Sequence, residues 1–120
     1  MAFIATVVYE LDPSTSPEAQ KLLRAELVGR RYNDRYEGKR LPSNAVWIRR
    51  TAAEGETVDD LKVRCGEELG AAVAAVARAG LAIRLVRAWV QVTGAGTYGL
   101  VEVPGPPLAA GGGKGPAENV

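Results

Sequence analysis

The order of hydrophobic periods along this chain predicts its fold. An apolar, β-branched run at residues 2–11 predicts a first strand, and similar runs at 45–51 and 81–93 predict two more. A weaker alternation at 31–41 predicts a further strand before 45–51. With two helical segments between these runs, the order is strand, helix, two strands, helix, strand. This order is typical of an α+β, ferredoxin-like βαββαβ sandwich, in which two helices cover one sheet face.

Two amphipathic segments carry helix start and stop signals. The first begins after Ser16, a favourable N-cap residue, and ends near Gly29. The second begins after Thr57, which can form a capping box with Asp60, and Gly80 is suited to end it in a left-handed conformation. The predicted core face of the second helix is Val58, Leu61, Cys65, Leu69, Ala72, Val76 and Ala79.

Two features interrupt these patterns. The alternation of the last strand changes phase near Arg87, which predicts a β-bulge there. Gly66 and Gly70 lie inside the second helix, where each costs about 1 kcal/mol relative to alanine. Their spacing of four predicts that another backbone packs closely against the helix at this point.

The C-terminal part of the chain is rich in glycine and proline. Gly94, Gly96 and Gly99 match the spacing of a dinucleotide-binding loop, but that loop requires a helix after the glycines. Residues 97–103 instead predict an extra C-terminal strand or hairpin. Residues 104–120 predict a flexible tail.

Length and composition indicate one globular domain at residues 1–103, followed by the tail. Hydrophobic residues are 47% and charged residues 24%, which is ordinary for a globular protein. The sequence contains no histidine, which excludes Ser-His-Asp triads and histidine metal sites. A single cysteine, Cys65, excludes an internal disulfide and a cysteine zinc site.

The apolar N-terminal run indicates a core strand rather than a signal peptide, because it lacks a basic region and is interrupted by Glu10. No apolar stretch reaches the roughly 18 residues of a membrane span. We therefore expect a cytoplasmic protein without a membrane partner.

The charge distribution is uneven although the net charge is only +1. Residues 30–50 contain seven basic and two acidic side chains, a local net charge of +5, with tyrosines among them. Such a mixture is typical of surfaces that contact phosphates and stack on bases. The alternative is a solvated basic strand whose tyrosines cover the edge of the core. The candidate nucleic-acid-binding residues are Arg30, Arg31, Tyr32, Arg35, Tyr36, Lys39, Arg40, Arg49 and Arg50.

Two carboxylates, Glu10 and Asp12, lie at the end of the first strand and are the candidate catalytic residues. Mg²⁺ prefers oxygen ligands, so Glu10 is also the candidate metal ligand. The alternative is that Glu10 faces solvent while Asp12 opens an Asp12-Pro13-Ser14 turn.

Residues 7–12 (VVYELD), followed by a charged helix, resemble the start of small ferredoxin-like proteins of CRISPR adaptation complexes. Residues 41–48 and 57–61 are similar to the corresponding region of ferredoxin-like endoribonuclease antitoxins of toxin–antitoxin loci. The resemblance implies a homodimer associated with nucleic acid. It also implies that Glu10 occupies the position of a metal-binding carboxylate supplied by both subunits, where the family pattern has Asp.

Together these features predict a homodimer that binds RNA or DNA through residues 30–50, with weak Mg²⁺-dependent nuclease activity at Glu10. Whether the chain is an enzyme stays open. One alternative is a non-catalytic module that binds a protein partner as an antitoxin, regulator or inhibitor. Another is a small-ligand sensor that contacts an anion through the loop at residues 94–99.

Overall fold

Residues 2–94, together with Gly99 and Val101, are described by a computed structural model. In chain order the elements are β1 (Ala2–Leu11), α1 (Pro17–Gly29), β2 (Arg35–Tyr36), β3 (Lys39–Arg40), β4 (Ala45–Thr51), α2 (Val58–Arg78) and β5 (Leu85–Gly94). The main sheet has the order β4-β1-β5, and β1 pairs antiparallel with both neighbours. The predicted α+β class is confirmed, and the strand order is compatible with a ferredoxin-like arrangement.

Both helices begin at the predicted caps. The Ser16 hydroxyl accepts a hydrogen bond from the Ala19 N–H at 3.1 Å. Thr57 and Asp60 form the complete capping box, with bonds of 3.1 and 2.9 Å between each side chain and the other residue's N–H. Gly80 follows α2 with φ +91°, a conformation that glycine adopts without strain.

The helices and one face of the sheet enclose the core. Alternate β1 residues (Ala5, Val7, Tyr9) point towards the helices and are at most 3% exposed. On α2 the predicted face is confirmed at its centre, where Leu61, Cys65, Leu69, Ala72 and Val76 are buried, whereas Val58 and Ala79 at its ends are exposed.

The opposite side of the sheet, called the open face here, is not covered by either of the two helices in residues 2–94. It carries the other β1 residues and their cross-strand neighbours. They include Ile4, Thr6, Val8 and Glu10 on β1, Trp47 and Arg49 on β4, and Arg87, Trp89, Gln91 and Thr93 on β5.

The prediction of one sheet strand at residues 31–41 is wrong, because this segment forms a separate two-stranded hairpin. The segment contains the short β2–β3 hairpin, and a single bridge between Asn33 and Trp47 joins it to the outer edge of β4. The hairpin bends over the open face instead of extending the sheet. Ile4 on that face lies near the hairpin residue Tyr36 and is only 4% exposed.

The predicted bulge is confirmed, and the predicted packing at the α2 glycines is not. The β1–β5 register shifts between Glu10, which pairs with Arg87, and Leu11, which pairs with Leu85. A β-carbon built at Gly66 or Gly70 would meet no atom within 4 Å. Nothing that the structure describes therefore packs closely against these glycines.

The predicted C-terminal strand and tail lie outside the described residues, apart from Gly99 and Val101. Across the residues that are described, neither helix combines the length and the apolar character needed to cross a membrane.

Candidate nucleic-acid interface

The backbone after α1 turns twice to form the hairpin. Arg31 has φ +78° and redirects the chain at the end of the helix. Glu37 and Gly38 form the two-residue hairpin loop, and both have positive φ, as a type I′ turn requires. Arg35 pairs with Arg40 across this hairpin, so two guanidinium groups lie on neighbouring strands.

Trp47 fixes the hairpin to the sheet. Its indole Nε1 donates to the Arg35 carbonyl oxygen at 3.0 Å, and its ring lies 6.1 Å from the Tyr36 ring at a tilt of 58°. Its backbone exchanges hydrogen bonds of 2.7 and 3.0 Å with Asn33. The hairpin is therefore held in one orientation, with its arginines outward.

Five of the candidate residues are exposed, and we call them together the basic hairpin surface: Arg31, Arg35, Lys39, Arg40 and Arg49. Arg49 lies two residues after Trp47 on β4 and shares the open face with it. Within residues 2–94, none of the ion pairs includes Arg31, Arg35, Arg40 or Arg49. Arg35 binds only a neutral partner, the Gly38 carbonyl oxygen, at 3.2 Å.

The other candidates belong elsewhere. Tyr32 is 3% exposed, so its ring is not available to stack on a base. Arg50 points to the helix side of the sheet, where its side chain is 13% exposed. Arg30, the residue after α1, lies 3.9 Å from Glu26 on that helix. Tyr36 is half-buried, on the side of the hairpin that faces Trp47.

Tyr32 and Arg50 belong to a polar cluster in the core. The Tyr32 hydroxyl donates to Glu68 Oε1 at 2.7 Å, and Arg50 Nη2 lies 2.6 Å from the same oxygen. Burial, reinforced by hydrogen bonds with Cys65 and Glu68, raises the pKa of Tyr32 far above its ordinary value. Burial, the largest single effect, lowers the pKa of Arg50, but the hydrogen bond to Glu68 and the charge interactions with Tyr32, Glu68 and Cys65 together outweigh it, so the pKa of Arg50 is raised.

Arg24 holds the base of the hairpin, a role that the sequence pattern did not reveal. It lies on α1, is 8% exposed, and donates to the Ser43 carbonyl oxygen. Its guanidinium is also 3.6 Å from Asp34. The one signal in the sequence was its position in α1, one residue after Leu23 on the apolar side of the helix.

The two candidate carboxylates are both engaged. Glu10 projects onto the open face and lies 3.0 Å from Arg87 Nε. Asp12 follows the end of β1, accepts hydrogen bonds from the hydroxyl and the N–H of Ser14, and lies 3.7 Å from Arg84. These two bonds, the hydroxyl first, lower the pKa of Asp12. This is the turn that the alternative interpretation predicted.

The Mg²⁺ site predicted at Glu10 involves a carboxylate from each of two subunits and stays a prediction. Within one chain, the Glu10 carboxylate is paired with the Arg87 guanidinium, and both side chains are exposed. In the described part of the chain, no group of three His, Cys, Asp or Glu residues is placed to hold a metal ion. We therefore derive no metal-dependent step from these residues.

An apolar pocket of about 230 Å³ lies between the hairpin and the open face. Gly99 closes one side of it, because a β-carbon at Gly99 would lie 3.4 Å from the Tyr36 ring. The residues around the pocket are Ile4, Thr6, Tyr36, Leu41, Pro42, Trp47 and Gly99. Of the glycine-rich loop, residues 95–98 lie outside the described residues, so its predicted anion contact stays a prediction.

Comparison of the chain with protein-family models, curated proteins and solved structures finds no match.

Proposed function

We propose that this chain is a nucleic-acid-binding protein of ferredoxin-like fold, and that the basic hairpin surface contacts the phosphate backbone of RNA or DNA. The observation that supports this proposal most directly is the set of four exposed arginines that lack an acidic partner within residues 2–94: Arg31, Arg35, Arg40 and Arg49.

The contrast with the rest of the molecule strengthens the proposal. Within residues 2–94, seven of the nine cations outside this surface are paired with a carboxylate: Arg24, Arg30, Arg50, Lys62, Arg64, Arg84 and Arg87. Unpaired guanidinium groups on one surface repel one another unless an anion lies between them. A phosphate satisfies two such groups at once, because guanidinium binds phosphate oxygens bidentately.

The proposed activity is binding, not cleavage. The exposed cations can bind a nucleic-acid backbone without any catalytic group. The candidate catalytic carboxylate, Glu10, is paired with Arg87. Contacts of this kind recognise the backbone, so we expect little dependence on base sequence.

We also propose that the functional unit is a homodimer. Val8 and Trp89 are cross-strand neighbours on the open face and are 36% and 66% exposed. Apolar side chains that adjoin one another at a surface mark an interaction site.

Anisotropy of labelled oligonucleotides at low salt tests the proposal. The wild type should bind single strands and duplexes of unrelated sequence with similar affinity. The double variant Arg35→Ala/Arg40→Ala should lose at least tenfold in affinity. Lys21→Ala/Arg78→Ala, which removes two exposed cations from the helices, is the matched control. Absence of wild-type binding would contradict the proposal and favour a protein-interaction module.

A further inference from the structure

Within the described residues, the outer edge of β5 has no pairing strand. β1 pairs with β5 on one side, and no residue that the structure describes pairs with it on the other. An edge strand presents unpaired N–H and C=O groups, which proteins commonly protect with proline, lysine or a bulge. β5 contains neither proline nor lysine, and its bulge lies near Val86 at its start. The stretch from Ala88 to Gly94 is regular and open to pairing.

Gly99, the first described residue beyond β5, lies away from this edge. That residue lies against Tyr36 of the hairpin, on the far side of β1 from β5. Gly99 itself therefore does not lie along the free edge of β5.

Apolar side chains adjoin the same edge. Trp89 on β5 is 66% exposed and Val63 on α2 is 54% exposed. Both contribute to a groove of about 440 Å³ between α2 and β5, which Lys62, Ala88 and Val90 complete. A surface that combines exposed apolar groups with unpaired backbone groups is suited to β-strand addition.

We propose that a second copy of this chain occupies the edge, with the two β5 strands paired antiparallel about a two-fold axis at Trp89. This inference rests on the proposed homodimer and identifies its interface. The pairing would join two three-stranded sheets into one sheet of six strands. Such an interface is isologous, because each copy contributes the same strand.

Charge and side-chain size favour this occupant. With the axis at Trp89, Arg87 lies opposite Gln91 of the partner subunit, so no like charges face each other. On the helix side, Gly66 and Gly70 follow Lys62 at intervals of four residues and share its flank of α2. The pairing would bring the two α2 helices side by side, and the missing side chains leave room for a close approach.

Sedimentation equilibrium over a dilution series tests the interface in the full chain. The wild type should dimerise, and Val63→Glu and Trp89→Glu should each raise the dimer dissociation constant at least tenfold. Val28→Glu is the matched control, because Val28 is an exposed valine on α1 (44% exposed) and should leave the constant unchanged.

Each result decides a different claim. A wild type that stays monomeric at tens of micromolar contradicts both the homodimer and its interface. A wild-type dimer that neither glutamate weakens contradicts the β5 interface but leaves the homodimer standing. Hydrogen exchange of the wild type gives a readout that needs no variant. Amides from Ala88 to Thr93 should become more protected as concentration rises, and unchanged protection in a dimer would place the contact elsewhere.

Discussion

The guanidinium carbon of Arg50 lies 5.6 Å from the centre of the Tyr32 ring, and both side chains bind Oε1 of Glu68. This shared acceptor links β4, the turn after α1 and the middle of α2. A cation over an aromatic face is favourable, and the hydrogen bonds satisfy groups that the fold withdraws from water. The two residues therefore stabilise the core and are not part of the basic hairpin surface.

Removing the shared acceptor should be costly. Glu68→Ala leaves a largely buried guanidinium and a buried hydroxyl without their partner, so we expect a loss of about 1–3 kcal/mol in the free energy of unfolding. Glu67→Ala, at the exposed neighbouring position, should change it by less than about 0.5 kcal/mol. Urea denaturation measures both, and equal losses would contradict the role of the cluster.

Stability should fall at alkaline pH. Burial raises the pKa of Tyr9 and of Tyr32 above the ordinary value of 10.0, so the folded state keeps protons that the unfolded state releases. Stability is then fully present below about pH 10 and decreases above it, by up to about 1.4 kcal/mol per pH unit for each tyrosine. Urea denaturation at several pH values between about 9 and 11 measures how steeply the free energy of unfolding falls with pH. Tyr32→Phe should make this fall less steep by the contribution of one tyrosine. An unchanged slope would show that Tyr32 titrates normally.

The centre of the α2 core face should dominate its stability. Leu69 is 2% exposed, and Leu69→Ala should cost about 2–5 kcal/mol in the free energy of unfolding. Val58→Ala is the control, because Val58 lies at the start of α2 and is 44% exposed. Its change should stay within about 0.5 kcal/mol. Similar losses in the two variants would mean that the packing face is assigned wrongly.

Glu10 should matter little for either stability or binding. Its ion pair with Arg87 is solvent-exposed, and exposed pairs contribute little. Glu10→Gln should therefore leave the urea midpoint and the affinity for oligonucleotides unchanged. Gel analysis of a labelled oligonucleotide incubated with Mg²⁺ should show no cleavage by either protein. Wild-type cleavage that Glu10→Gln abolishes would contradict a function limited to binding.

The elements that the sequence predicted are those with local signals. The side chains of Ser16, Thr57 and Asp60 accept hydrogen bonds from N–H groups three residues away and so cap the helices. The spacing of apolar residues along α2 identifies the side of the helix that is buried. The phase change near Arg87 likewise marks a bulge within one strand. Such features depend on a few consecutive residues and can be read without knowing the fold.

Which residues of the basic segment are buried in the core and which are exposed depends on contacts between residues distant in sequence. Tyr32 reaches Glu68 across 36 positions and Arg50 reaches it across 18, so composition alone could not separate them from the exposed cations. One signal was present for Arg50, which shares the parity of Val46 and Ile48 on a half-buried strand. Arg49, with the opposite parity, is the exposed neighbour.

The dependence of oligonucleotide affinity on salt tests the central claim most directly. If the basic hairpin surface binds phosphates, log affinity falls linearly with log salt concentration, because each neutralised phosphate releases condensed counterions. The Arg35→Ala/Arg40→Ala variant should have a slope shallower by up to about 0.9 for each duplex phosphate that it no longer neutralises. Lys21→Ala/Arg78→Ala should keep the wild-type slope. Equal slopes for all three proteins, or no binding by the wild type at low salt, would contradict the account.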